Sequence, residues 1–257
     1  MLATAAIVLF SLLALLVLHE HELGVAGEEI PATLSGLIAG GLASASGFAV
    51  TLLAVVRPLD PALIRFRPGR ETRLTLAMVI VGTLTLSQAL DSVLALLGLD
   101  AMGTPALIRR VLAGAAGPQL FVAVIVLGIL VGIAEEAFFR GYMQTALRAR
   151  WPPWGAVLGT SLAFALLHVD WVSLEIVHAS LVLTLGLWLG FATERLDSAL
   201  PAVAAHVLNN IVFTLEAASG FAVKGTGPNL LVGVACALVF AGCVVGLARV
   251  PGAKAVC

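Results

Sequence analysis

The chain has 257 residues, of which 60% are hydrophobic and 11% charged, with a mean hydropathy of +1.08. A soluble domain of that length carries about 25% charged residues, so a water-soluble globule is excluded. The net charge of −1 says nothing by itself about nucleic acid, but no basic patch with interleaved aromatics appears, so no nucleic-acid partner is expected.

The apolar residues fall into runs of about 20, the length that crosses a bilayer of roughly 30 Å. Eight spans are expected, at 2–18, 31–56, 74–97, 118–147, 153–171, 173–192, 198–215 and 229–248. Backbone polar groups find no partner in hydrocarbon, so the spans must be helices. The fold class expected is all-α, a polytopic transmembrane helix bundle in one integral membrane domain. Residues 1–117 supply N-terminal helices, 118–215 the polar core, and 216–257 a last helix and short tail.

The opening MLATAAIVLFSLLALLVL lacks a basic n-region and a cleavage site, and reads as a retained first span. After it, HEHELGVAGEE carries His19 and His21 among acids, expected to face solvent. Arg57, Arg65, Arg67, Arg70 and Arg73 crowd the connection between the second and third spans. With Arg140, Arg148, Arg150, Arg195, Arg249 and Lys254, they put 11 of the 14 basic residues on one side; Arg109, Arg110 and Lys224 fall on the other. The positive-inside rule then places both termini in the cytoplasm. The Ala/Gly/Leu/Arg-rich usage suggests a GC-rich bacterium, and hence its inner (plasma) membrane.

Glycines four apart, Gly36 and Gly40, Gly128 and Gly132, Gly186 and Gly190, are read as helix-packing positions. Cys236, Cys243 and Cys257 match no metal or redox spacing, and the KAVC ending, with Lys254 fourth from last, is no prenylation signal. Asp91 lies within the third span with no evident partner. Asp170, Glu175 and His178 sit near the outer edge of the fifth and sixth spans and are read as structural.

Ionisable groups inside spans are costly and mark function. The fourth span carries Glu135, Glu136 and Arg140; the fifth His168; the seventh His206, Asn209 and Asn210. Glu136 and Arg140 are spaced i,i+4 and can pair. Adjacent helical residues point about 100° apart, so Glu135 and Glu136 should not share a partner face. Glu135, left without a local counter-charge, suits a general acid or base. Pro152 and Pro153 mark the turn between spans four and five. Glu135 and His168 lie roughly 22–26 Å from that turn on antiparallel helices, at matching height. His206 and Asn210 share a helix face while Asn209 points away.

A glutamate, two histidines and an asparagine from three helices are what water activation requires. Two schemes stay open. Zinc held by Glu135, His168 and His206 would keep a position for water. In a metal-free glutamate scheme the carboxylate takes the proton while histidine and asparagine stabilise the oxyanion.

The same residues carry a resemblance. Glu135-Glu136-Ala-Phe-Phe-Arg140 resembles EExxxR, Phe164 to His168 resembles FxxxH, and His206 to Asn210 resembles HxxxN; Gly141-Tyr142 continues the first as FRGY. In this order they are the signatures of the CPBP family of intramembrane proteases, which includes type II CAAX prenyl endopeptidases and relatives described as abortive-infection or bacteriocin-immunity proteins. The resemblance implies Glu135 as the water-activating base, Glu136 and Arg140 as a supporting pair, and His168, His206 and Asn210 as metal ligands or oxyanion stabilisers. The expected function is an intramembrane endopeptidase cutting a membrane-anchored protein or peptide near its C-terminal tail. Its partners would be that substrate and the lipid bilayer. A non-catalytic scaffold or immunity protein should show an eroded motif, and a proton-coupled transporter an internal repeat; the sequence has neither.

Overall fold

The computed structural model describes residues 32–57, 60–169 and 176–251. The expected first span, His19, His21, Pro31, Asp170, Glu175, Lys254 and Cys257 lie outside the described residues. Among the described residues all regular structure is helical. The helices are α1 (Leu34–Val55), α2 (Arg73–Leu97), α3 (Gly103–Leu112), α4 (Gly117–Arg148), α5 (Pro153–Leu166), α6 (Val177–Leu196), α7 (Leu200–Ser219) and α8 (Thr226–Ala248). Six of them are long and apolar enough to cross a membrane. The chain is a polytopic helical bundle, an integral multi-pass membrane protein.

Helix ends follow local chemistry. Thr72 and Thr75 form a reciprocal cap at the start of α2, the Thr75 N–H donating to Thr72 Oγ1 and the Thr72 N–H to Thr75 Oγ1. That helix closes on Gly98 and α7 on Gly220, both left-handed, with φ of 70° and 68°. Pro153 opens α5 at a position where its missing N–H costs nothing.

Three expectations are corrected. The fifth span was expected to run to residue 171, but α5 stops at Leu166 after 14 residues, about 21 Å of helix, and His168 lies in the turn beyond. A short helix, α3, was not anticipated. It ends on Arg109 and Arg110, and Arg109 pairs with Asp91 of α2 while lying over the Phe213 ring of α7 at 4.7 Å. The half-buried acid on α2 thus has the partner its own helix could not show. The fourth span is one continuous helix, but two stretches, Val124–Leu130 and Ala137–Met143, are π-helical.

Packing uses small residues unevenly. A Cβ on Gly128 would stand 2.8 Å from Ile211 and one on Gly132 3.1 Å from Val207, so this pair lets α4 approach α7 as expected. Gly40 packs no helix crossing, since nothing lies within 4 Å of a Cβ there; it lines the central cavity, as does the buried Gly36. Gly82 takes the Trp188 ring, whose Nε1 donates to Thr83 Oγ1 at 3.0 Å. Cys243 is buried beside them, and Leu231 and Leu238 of α8 are left exposed as an apolar outer face.

The basic residues gather at one end. Arg65 Nη2 lies 3.2 Å and Arg148 Nε 2.9 Å from Glu194 Oε1, and Arg70 Nη1 donates to the Pro251 carbonyl at 2.9 Å. The chain before α2 also docks on α4: a Cβ on Gly141 would stand 2.6 Å from the Ile64 carbonyl oxygen. The glycine after Arg140 is a close-approach position.

Candidate active site

Glu135 and Glu136 occupy the single α-helical stretch, Val131–Glu136, between the two π-helical segments of α4. A π turn replaces i→i+4 bonding with i→i+5 and widens the helix locally, a distortion frequent at functional sites. One consequence is visible in the first segment, where the Leu127 carbonyl accepts from Asn210 Nδ2 of α7 at 3.3 Å.

Glu136 and Arg140 are fully buried and joined at 2.9 Å, the i,i+4 pair read from the sequence. The guanidinium also lies over the Phe164 ring at 4.5 Å. Glu136 has a second partner: His206 Nδ1 is 2.8 Å from Glu136 Oε1. The other ring nitrogen, Nε2, is 3.7 Å from Glu135 Oε2. The two glutamates do share a partner, contrary to expectation. An imidazole offers nitrogens on opposite edges, and one ring spans the angle between adjacent helical side chains.

His168 approaches from the end of α5. Its Nε2 is 4.0 Å from Glu135 Oε1, and its Nδ1 is 2.8 Å from the Phe164 carbonyl. A carbonyl only accepts, so Nδ1 of His168 carries hydrogen. This bond also satisfies a carbonyl left over where the helix ends. Glu136 Oε1 already accepts from Arg140, so Nδ1 of His206 donates as well. Both rings therefore turn Nε2 toward Glu135. Phe164 holds the assembly together, its ring centroid 4.8 Å from that of His168 and 6.1 Å from that of His206.

The structure thus gathers Glu135, Glu136, Arg140, His168 and His206 in one cluster, with Asn210 one turn further along α7. Asn210 spends its amide on the α4 backbone, and Asn209, on another face, accepts from Ser87 Oγ at 2.7 Å. Glu135, Phe164, His168, His206, Asn209 and Asn210 line a cavity of about 790 Å³. His178 lines it too, its ring standing edge-on to that of His168 at 5.3 Å. The sequence sets His178 aside as structural because it falls near the outer edge of the spans; only the crossing of α5 and α6 brings it in.

The six motif residues fall within residues 117–212, which match the family model described as type II CAAX prenyl endopeptidase Rce1-like. Over this segment the chain is similar to the Rce1-like family. The match begins at the first residue of α4 and ends in α7, so it takes in every element that contributes to the cluster. No curated protein and no solved structure matches the chain.

A metal would need a tighter donor set. Among the described residues no three His, Cys, Asp or Glu side chains are grouped to hold an ion. Bonds of about 2.0–2.2 Å to one tetrahedral zinc set ligand atoms roughly 3.3–3.6 Å apart, slightly closer than the 3.7 and 4.0 Å from Glu135 to the imidazoles.

Proposed function

We propose that the protein is an intramembrane endopeptidase in which Glu135 activates the hydrolytic water. The Rce1-like family is a protease family, and the observation that carries the reading here is the carboxylate of Glu135 facing the Nε2 atoms of two histidines from two other helices. Separations of 3.7 and 4.0 Å are too long for direct hydrogen bonds, and a water set to one side of the three groups, in the cavity they line, can reach Glu135 and an imidazole together. Such a water donates one hydrogen to Glu135 and the other to an unprotonated Nε2. Its oxygen lone pairs are then free toward a scissile carbonyl.

In the reaction Glu135 takes the proton, the water oxygen bonds to the carbonyl carbon, and the carbonyl oxygen becomes an oxyanion. Glu135 then passes the proton to the amide nitrogen as the C–N bond breaks, so no net proton is gained or lost at the site. The oxyanion is stabilised by the second N–H of Asn210, while the neutral histidine Nε2 keeps accepting from the hydrogen that stays on the attacking oxygen. Glu136 and Arg140 hold His206 in the tautomer that leaves Nε2 available.

The substrate proposed is a membrane-anchored protein or peptide cut near its C-terminal tail, because a cavity of about 790 Å³ inside a bundle admits an extended segment rather than a folded domain. The test compares membrane and secreted fractions of cells carrying the wild type with those carrying Glu135→Gln. A protein whose C-terminus differs between them is the expected result. Identical termini throughout, with both forms inserted to the same level, overturn the proposal.

A further inference from the structure

A polar seam runs away from the cluster between α4 and α6. Glu136, Arg140, Gln144 and Arg148 recur every fourth residue on α4, opposite Gly186, Gly190 and Glu194 on α6. Gln144 Nε2 donates to the Gly190 carbonyl at 3.0 Å, and Arg148 Nε donates to Glu194 Oε1 at 2.9 Å. Between these contacts lie buried polar atoms with no protein partner among the described residues: Arg140 Nε and Nη2, Gln144 Oε1, and Ser161 Oγ from α5. Arg140, Gln144 and Ser161 are all fully buried. A Cβ on Gly186 would stand 3.2 Å from Arg140 Nη2 and 3.4 Å from Ser161 Oγ. One on Gly190 would stand 3.2 Å from Gln144 Oε1 and 3.7 Å from Ser161 Oγ. The missing side chains of two glycines leave room where these atoms converge. Buried polar groups in native proteins are paired with protein or with ordered water, and here protein is not the partner.

We propose that Gln144 and Ser161 are positioning residues that, through water bound in the seam beside Gly186 and Gly190, hold the free edge of Arg140 and thereby fix Glu136 and His206. Arg140 touches Glu136 through Nη1 alone, so without an anchor on Nε and Nη2 the guanidinium is free to swing over the Phe164 ring. Glu136 would swing with it, and the His206 Nδ1–H would lose a fixed acceptor. The inference rests on the protease reading for its catalytic meaning, but its geometry stands apart from it.

The test follows the His206 ring signals of the full-length, histidine-labelled protein in lipid nanodiscs by nitrogen NMR. Gln144→Leu and Ser161→Ala should each move the His206 signals and speed exchange of its Nδ1 proton on the order of tenfold. Val157→Ala, an apolar truncation in the same seam, should lower thermal stability and leave those signals in place. A high-resolution structure should show water bridging Arg140 Nη2 to Ser161 or Gln144, displaced in Gly186→Ala. The proposal is overturned if the folded Gln144 and Ser161 variants leave His206 unmoved, or if Val157→Ala moves it equally. Direct closure of Gln144 onto Arg140 without water overturns it too. No readout requires a peptide bond to be cut, so failure here is distinguishable from failure of the protease reading.

Discussion

Glu135 is the one carboxylate of the cluster with no arginine against it. Glu136 has Arg140 at 2.9 Å, whereas among the described residues Glu135 has as ion-pair partners only imidazoles, at 3.7 and 4.0 Å. A carboxylate committed to a guanidinium is a poor base; one facing two imidazoles exchanges a proton readily. General acid–base contributions are typically about 10²–10⁴-fold, and Glu135→Gln is expected to lose activity at or above that upper figure, because Glu136, the other carboxylate of the cluster, is committed to Arg140. Reconstituted cleavage, with insertion and thermal stability unchanged, is the measurement; wild-type turnover in this variant would remove Glu135 from the role of base. Glu136→Gln separates the two acids. It keeps an oxygen for the His206 Nδ1–H but strands Arg140, so activity and stability should fall together. The pairing of Glu136 with Arg140 was legible in the i,i+4 spacing. The double contact of His206 was not, because a spacing rule speaks of faces on one helix and is silent about the width of a ring arriving from another.

At the scale of elements, α4 organises the site. Its two π-helical stretches bracket the glutamates, and nothing in the run of apolar residues around them signals an i→i+5 pattern. Seven of the eight expected spans have a helix in place, since apolar length is read directly from sequence. The early end of α5 was hidden because the residues after Leu166 stay apolar up to His168, and a helix stop there is set by what caps the carbonyls. Arg140 ties α4 to this arrangement. Arg140→Ala leaves Glu136 buried with only His206 to offset its charge, and breaking a buried pair from one side costs about 3–5 kcal/mol. The expected outcome is a lower yield of folded protein and a lower denaturation temperature, read in detergent and in nanodiscs; stability equal to wild type would contradict the pairing. The crossing of α4 with α7 is equally exposed to test. A Cβ on Gly128 would stand 2.8 Å from Ile211, so Gly128→Val should push the helices apart at a cost of about 1–3 kcal/mol. Because His206 rides on α7, activity should drop more than stability does.

At the scale of the whole molecule, the bundle has two unlike ends. Arg65, Arg148 and Glu194 interlock at one, with Arg70 on the Pro251 carbonyl nearby, while the short helix α3 with Arg109 and the turn carrying Lys224 belong to the connections at the other. The positive-inside rule predicts a cytoplasmic first end, and the bilayer then fixes from which side each loop can be reached. Arg150 and Lys224 are both exposed and lie in connections that leave opposite ends of the bundle, Arg150 between α4 and α5 and Lys224 between α7 and α8. With Cys236, Cys243 and Cys257 replaced by serine, Lys224→Cys should react with a membrane-impermeant thiol reagent in intact cells. Arg150→Cys should react only once the membrane is opened. The reverse pattern would invert the protein and, with it, the face from which Arg148 and Glu194 meet water. Equal labelling of both in sealed cells would deny that α5, only 14 residues long, completes a crossing within the bundle.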